Sequence, residues 1–171
     1  MTAMSETAVE SGPDDGVTAE EKCLRLYRTM AAGVAVISAR GPAGPVGMTA
    51  SSVTSLSLRP PLLLACLSLG SKTLSAIHRS RSFAVSLLTE NQREIAEDFA
   101  SPAGSRFGRH QHRYVLDVPV LATPLSWAVC RLGDSRTYGD HELVVGEIVA
   151  LKTDSGRPLL WHSQAFALLR T

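Results

Sequence analysis

The sequence predicts a mainly β protein in which three minor helices are added to a closed or nearly closed barrel. Six or seven short segments are apolar and rich in β-branched residues, which is typical of strands. Three segments have helical spacing, but they do not alternate with the strands in the βαβ rhythm of a parallel sheet. The 171 residues are enough for one domain with a substantial core.

The charge and cysteine content of the sequence limit which kinds of partner and which cellular compartment we expect. The formal net charge is +1, from 17 basic and 16 acidic residues, so we expect no nucleic-acid partner. The three cysteines, Cys23, Cys66 and Cys130, form no CxxC motif, and we expect free thiols in a reducing, cytoplasmic environment. The apolar run at 62–69 is too short to cross a bilayer and the N-terminus does not resemble a signal peptide, so no membrane association is expected.

The first half of the chain predicts two helices, a hairpin and two buried strands. Residues 1–17 are polar and acidic and predict a disordered tail, which leaves 18–171 as the domain. Thr18 is placed to cap a helix that ends near Gly33 and whose apolar face includes Leu26 and Met30. A hairpin follows, with strands at 34–40 and from Val46. Segments 61–69 and 82–88 read as strands buried on both faces, with a short helix at 71–80 between them.

The second half predicts a third helix and the remaining strands. Asn91 is placed to cap a helix at 91–101. Two long strands, at 125–132 and 141–152, flank a predicted turn at 133–140, and the segment 161–169 closes the chain.

Several familiar sites are absent from the sequence. It contains no GxGxxG and no GxxxxGK[ST], which excludes the two common phosphate-binding loops. It also lacks GxSxG and HExxH. His110 and His112 have no Cys or acidic ligand near them in sequence, so we expect no metal site.

A run of hydroxyl residues beside an apolar strand is the most informative feature. The segment 47–61, GMTASSVTSLSLRPP, has six Ser or Thr residues and leads into LLLACLSL. Its hydroxyls and backbone amides would suit the polar edge of a flat heterocycle. Ser71, Lys72 and Thr73 then open a helix, where a phosphate is favoured. Local hydrogen bonding of the hydroxyls and a plain N-cap role for Ser71 remain the alternatives.

Five segments together resemble the flavin reductase family, the short-chain reductase partners of two-component flavin monooxygenases. They are GMTASSVTSLSLRPPLLLACLS, SKTLSAI, FAVSLL, the pair RF at 106–107 and GDHELVVGEI, and the similarity runs from about Met30 to Leu169. The resemblance implies a homodimeric split β-barrel of the FMN-binding type. It also implies an NAD(P)H-dependent flavin reductase that supplies freely diffusing reduced flavin to a partner monooxygenase, with NADH and FAD favoured over NADPH and FMN.

The resemblance also implies roles for individual residues. His141, in the GDH motif, is the expected catalytic residue and would orient the nicotinamide or provide a proton; its alternative role is to cap the hairpin turn. Phe107 would either cover the dinucleotide or serve as a hydrophobic anchor. The residues expected to line the flavin ring and ribityl chain are Met48, Thr49, Ala50, Ser51 and Ser52. Cys66 and Ser68 are expected beneath the flavin, and Ser71, Lys72 and Thr73 at its phosphate.

Three functions from different classes remain open at this point. The first is the flavin reductase, the second a flavin-binding protein of the same barrel type without reductase activity, and the third a pyridoxal-phosphate or haem-degradation relative. The GDH segment favours the first. The contributions of Arg59, Trp161 and His162 are not assigned by the sequence.

Overall fold

The computed structural model describes residues 16–101 and 107–169, and this part of the chain is mainly β with three helices, as predicted. The helices are α1 (Ala19–Arg28), α2 (Lys72–Ser80) and α3 (Arg93–Ala100). The strands are β1 (Ala32–Gly33), β2 (Ala35–Gly41), β3 (Gly44–Ala50), β4 (Val53–Leu58), β5 (Pro61–Ser68), β6 (Ser82–Leu87), β7 (His112–Val115), β8 (Val118–Leu121), β9 (Ser126–Tyr138), β10 (His141–Thr153), β11 (Leu160–His162) and β12 (Ala165–Ala167).

The main sheet has seven antiparallel strands in the order β3-β2-β6-β9-β10-β5-β4. Its two edge strands, β3 and β4, are consecutive in the chain but do not pair with each other within the described residues. Of the closed or nearly closed barrel that was expected, full closure is not found in the described residues, because the sheet stays open between β3 and β4. The hydroxyl segment 49–57 runs along this opening, because it ends β3 and forms most of β4.

The core is divided between the two faces of the sheet. One face, called the inner face below, carries the cluster that includes Ile37, Leu67 and Phe83, and α2 packs on it through Leu74 and Ile77. On the other face, α3 covers β3 and β2, and the hairpin of β7 and β8 covers β6. This arrangement places the first turn of α2 directly after the end of β5.

Four local expectations need correction. The strand at 61–69 is not buried on both faces, because its residues alternate between the inner face and a half-exposed outer face. The predicted turn at 133–140 is mostly strand, since β9 continues to Tyr138. Gln92, not Asn91, is the N-cap of α3, and its amide bonds instead to the backbone of Thr89 and Thr123. The helix α1 forms behind its Thr18 cap, but its expected apolar face is not buried.

Some of the predictions from sequence concern residues outside the described part of the chain. The predicted tail lies mostly in residues 1–15, and Arg106 of the RF pair lies in 102–106, both outside the described residues. Within the residues that are described, no helix has the length and apolar character needed to cross a membrane.

Candidate functional site

His141 begins β10 and is held on both ring nitrogens. Its Nδ1 lies 2.8 Å from Oδ1 of Asp140, and its Nε2 lies 3.3 Å from Oγ of Ser68, the residue opposite it on β5. The hydrogen bond from the imidazole is the main reason that the pKa of Asp140 lies below its usual range. The carboxylate therefore fixes the ring orientation of His141, and about half of the imidazole side chain remains exposed to ligands.

The start of α2 lies beside this histidine. The backbone N–H of Leu69 donates to the carbonyl of Asp140 (3.1 Å), and that of Ser71 donates to the carbonyl of Ser68 (3.1 Å). The Ser71 hydroxyl caps the helix by accepting from the N–H of Leu74 (3.0 Å). The structure thus brings Ser68, Ser71 and His141 together where β5, α2 and β10 meet.

The first turn of α2 has the properties of an anion site. The N–H groups of Lys72 and Thr73 point out of the helix start without intrahelical acceptors. Lys72 is exposed, so its ammonium can reach a bound phosphate, whereas Thr73 is almost fully buried. Ser71 already accepts one hydrogen bond as the cap, and its hydroxyl proton remains to be donated to a phosphate oxygen.

The side chains of the segment 48–52 do not all point to the same face of the sheet. Met48 and Ala50 belong to the inner face. Thr49 points to the other side and donates to the carbonyl of Ala96 in α3 (2.6 Å). Ser52 donates to the carbonyl of Cys66 (2.6 Å) and accepts the Cys66 N–H on its own carbonyl (3.2 Å), which continues the pairing of β4 with β5 by one residue. Local hydrogen bonding therefore accounts for Thr49 and Ser52, while Ser51 is exposed.

A cavity of about 490 Å³ adjoins this segment on the α3 side. Thr49 and Ser51 form one wall, and Trp161 and Phe166 form another, with their rings nearly perpendicular at 5.1 Å between centroids. Its volume lies within the range of small-molecule sites. Arg93, Glu97, Gln164 and other residues complete the lining. Sequence reasoning missed the wall from the C-terminal strands, although the aromatic residues at 161 and 166 were the available signal.

Phe107 does not cover an exposed site. It is 4% exposed and packs against Phe99 (4.9 Å between ring centroids) and His112 (4.9 Å). These contacts hold the segment after residue 106 on α3 and favour the anchor interpretation over contact with a dinucleotide.

The positions of Cys66 and Cys130 do not indicate a reactive thiol or a metal ligand in the candidate site. Cys130 is buried, and burial raises the pKa of its thiol to about 12. Cys66 is half-buried and lies opposite Leu143 on the outer face of the sheet. Across residues 16–101 and 107–169, no group of three or more His, Cys, Asp or Glu side chains is placed to hold a metal ion.

Known proteins are similar to this chain in sequence and in fold. Residues 27–170 match the family described as "Flavin reductase like domain". The flavin reductase (NADPH) of Lentzea aerocolonigenes is 42% identical over 140 residues, which cover 80% of this chain and 82% of that protein. The reductase component of 4-nitrophenol 4-monooxygenase/4-nitrocatechol 2-monooxygenase from Rhodococcus opacus is 34% identical over 136 residues, covering 80% and 74%.

A solved structure matches the fold. The NADH:FAD oxidoreductase SgcE6 of Streptomyces globisporus, in complex with NAD and FAD fragments, superposes with a TM-score of 0.84 at 26% identity, covering 89% of this chain and 93% of that one. The match to the family extends over most of the chain and includes the segments that carry His141, Ser71 and the hydroxyl run. The chain belongs to the flavin reductase like domain family.

Proposed function

We propose that this protein is an NAD(P)H-dependent flavin reductase that reduces FAD with NADH and releases the reduced flavin to a partner monooxygenase. The observation that carries the proposal is the Asp140–His141–Ser68 chain of hydrogen bonds beside the first turn of α2, in a chain of this family. This arrangement supports the proposal because an oriented imidazole lies beside a helix start that would bind an anion.

The described residues fit a flavin nucleotide. Lys72 and the free N–H groups of the first turn of α2 would hold the phosphate. The segment 48–52 would line the ring system at the opening between β3 and β4, where Ser51 is exposed and the adjoining cavity has aromatic walls. Bound flavin supplies the N5 atom that accepts a hydride from the nicotinamide.

His141 has the task of orienting the nicotinamide. Asp140 and Ser68 fix its ring from two sides, so that the imidazole presents a constant edge to a ligand. Hydride transfer needs two rings held in contact and donors for the charge that develops, and it requires no general base. A fixed imidazole therefore contributes by positioning and by donating a hydrogen bond or a proton.

The choice of FAD and NADH within this proposal has support from some relatives. The structural neighbour SgcE6 is named an NADH:FAD oxidoreductase. A Rhodococcus erythropolis relative is named NADH:FMN oxidoreductase, and the Lentzea relative a flavin reductase (NADPH). We propose a monooxygenase partner because the Rhodococcus opacus relative is named as the reductase component of such an enzyme.

We further propose that the protein is a homodimer with its sites near the subunit interface. The edges of β3 and β4 are unpaired within the described residues, and they border the hydroxyl segment. Exposed sheet edges are normally covered. Leu26 and Tyr27 on α1 and Met30 just after it are each more than 60% exposed, which gives a second copy further apolar surface.

One experiment tests the central proposal. Purified protein is mixed with NADH or NADPH and with FAD, FMN or riboflavin, while the absorbance of the reduced nicotinamide is followed. We expect oxidation that depends on both the protein and an added flavin. If flavin binds but no nicotinamide is oxidised with any flavin, the proposal is overturned in favour of a flavin-binding protein.

A further inference from the structure

The carboxylate of Glu142 is buried next to the catalytic histidine. The residue is 9% exposed, and its side chain lies on the inner face of the sheet with those of Leu67 and Val144. His141, one residue earlier, points to the outer face, because successive residues of a strand alternate. A carboxylate buried among apolar side chains is costly unless a partner compensates its charge.

The partner is His78 of α2. Its Nε2 lies 2.7 Å from Oε1 of Glu142. This oxygen is buried and makes no aligned hydrogen bond within the described residues, and the contact is an ion pair when the imidazole is protonated. The side chain of His78 is 41% exposed.

This pair closes a ring of contacts around the candidate site. The first turn of α2 holds Ser71 and Lys72, and two turns later the same helix carries His78. At the other side, Ser71 is bonded to Ser68, and Ser68 to His141, through the contacts given above. The contact between His78 and Glu142 connects α2 to β10 at the residue that directly follows His141.

We propose that His78 and Glu142 are a positioning pair, which holds the phosphate-binding end of α2 and the imidazole of His141 in one rigid frame. The proposal rests on the proposed flavin reductase function. Neither residue contacts the reacting atoms. The apolar contacts of Leu74 and Ile77 hold the helix against the sheet, but such packing is not directional. The contact of His78 with Glu142 adds a tie between one point of the helix and one point of β10, which limits how far the helix can slide along the sheet.

The test uses three variants and one matched control. His78→Ala leaves the buried carboxylate without its partner. His78→Ala combined with Glu142→Gln removes that charge as well, and His78→Gln retains a donor at the same position. Arg79→Ala, in the same turn of α2, controls for the loss of a positive charge from the helix. For each protein we measure the Kd for FMN and for riboflavin, the rate of flavin reduction at saturating NADH, and the Tm.

We expect His78→Ala to weaken FMN binding about 3- to 10-fold, with riboflavin changed less than twofold, and to slow reduction at saturation. His78→Gln should recover part of the loss, because its amide can still donate to Glu142. The double variant should regain the Tm but not the FMN affinity, because it removes the unpaired carboxylate together with the contact. Arg79→Ala should behave like the parent protein in its ratio of FMN to riboflavin affinity.

The possible outcomes distinguish a failure of the positioning role of His78 and Glu142 from a failure of the proposed reductase function. If the parent protein binds and reduces flavin but His78→Ala changes only the Tm, or if FMN and riboflavin lose affinity equally, the positioning role is overturned and the reductase stands. If the double variant binds FMN as tightly as the parent protein, the contact is not needed for positioning and the proposal is overturned. If the parent protein neither binds nor reduces flavin, the proposed function and the pair fall together.

Discussion

Replacing Lys72 with Ala should weaken the binding of phosphorylated flavins and leave riboflavin unaffected. The ammonium is the one positively charged group in the first turn of α2, and riboflavin has no phosphate for it to contact. A hydrogen bond to a charged group contributes about 1.5 to 3 kcal/mol when it is shielded from water. Lys72 is exposed, so we expect about 1 kcal/mol, the upper range for exposed ion pairs, which is roughly a fivefold increase in Kd.

The assay is a fluorescence titration of FMN and of riboflavin against the parent protein and Lys72→Ala. The difference between the two proteins should shrink at 1 M salt, where the screening length falls to about 3 Å. Adding Thr73→Ala should bring the total loss into the range of about 1 to 3 kcal/mol.

A neighbouring substitution separates binding from helix stability. Ser71→Ala removes the cap on Leu74, which should cost about 1 kcal/mol of folding free energy and lower the Tm by about 2 to 4 °C. Lys72→Ala leaves the cap in place and should leave the Tm unchanged. If Lys72→Ala weakens riboflavin as much as FMN, or if salt does not reduce the effect, the segment is structural and does not hold the phosphate.

Four further outcomes are expected. His141→Ala should keep flavin affinity within a few fold and slow stopped-flow reduction or raise the KM for NADH by about 10- to 1,000-fold; unchanged kinetics would refute its role. Gly146→Ala should destabilise the fold by about 1 to 3 kcal/mol in urea melts, because its Cβ would overlap Phe83 and lie 2.7 Å from Cβ of Cys130. Bound flavin should protect Cys66 from iodoacetamide, while Cys130, whose pKa is raised to about 12, stays unmodified at neutral pH with or without flavin. Light scattering should give a dimer mass, and an active monomer at micromolar concentration would contradict the interface.

The elements that sequence predicted well are those with a strong local signal. Thr18 and Glu21 form a complete capping box at α1, and Ser71 caps α2, because both caps use residues within three positions. The grouping of Ser68 with His141 followed only from the family resemblance, since 73 positions separate them in the chain. The strand register that makes them neighbours depends on pairing between β5 and β10, which no short window of sequence contains.

The predicted turn at 133–140 shows why the ends of strands were harder to predict from sequence than the helix caps. Its Gly, Asp and Ser residues are typical of turns, and Gly133 lies where the pairing of β9 with β10 shifts register. Continuous pairing with β10 overrides the local preference and carries β9 on to Tyr138. The turn is left with Gly139, whose φ of 59° suits glycine, and Asp140. This extension is what places Asp140 beside the imidazole of His141.

The hydroxyl segment has more than one physical explanation in the structure. Thr49 donates to the carbonyl of Ala96 in α3, and Ser52 donates to the carbonyl of Cys66 in β5. The first bond ties the end of β3 to α3, and the second continues the pairing of β4 with β5, so each hydroxyl anchors one side of the opening. Between these two anchors Ser51 is exposed and borders the cavity. The same segment therefore supplies both the local bonds that the sequence left as an alternative and an accessible hydroxyl for the proposed ligand.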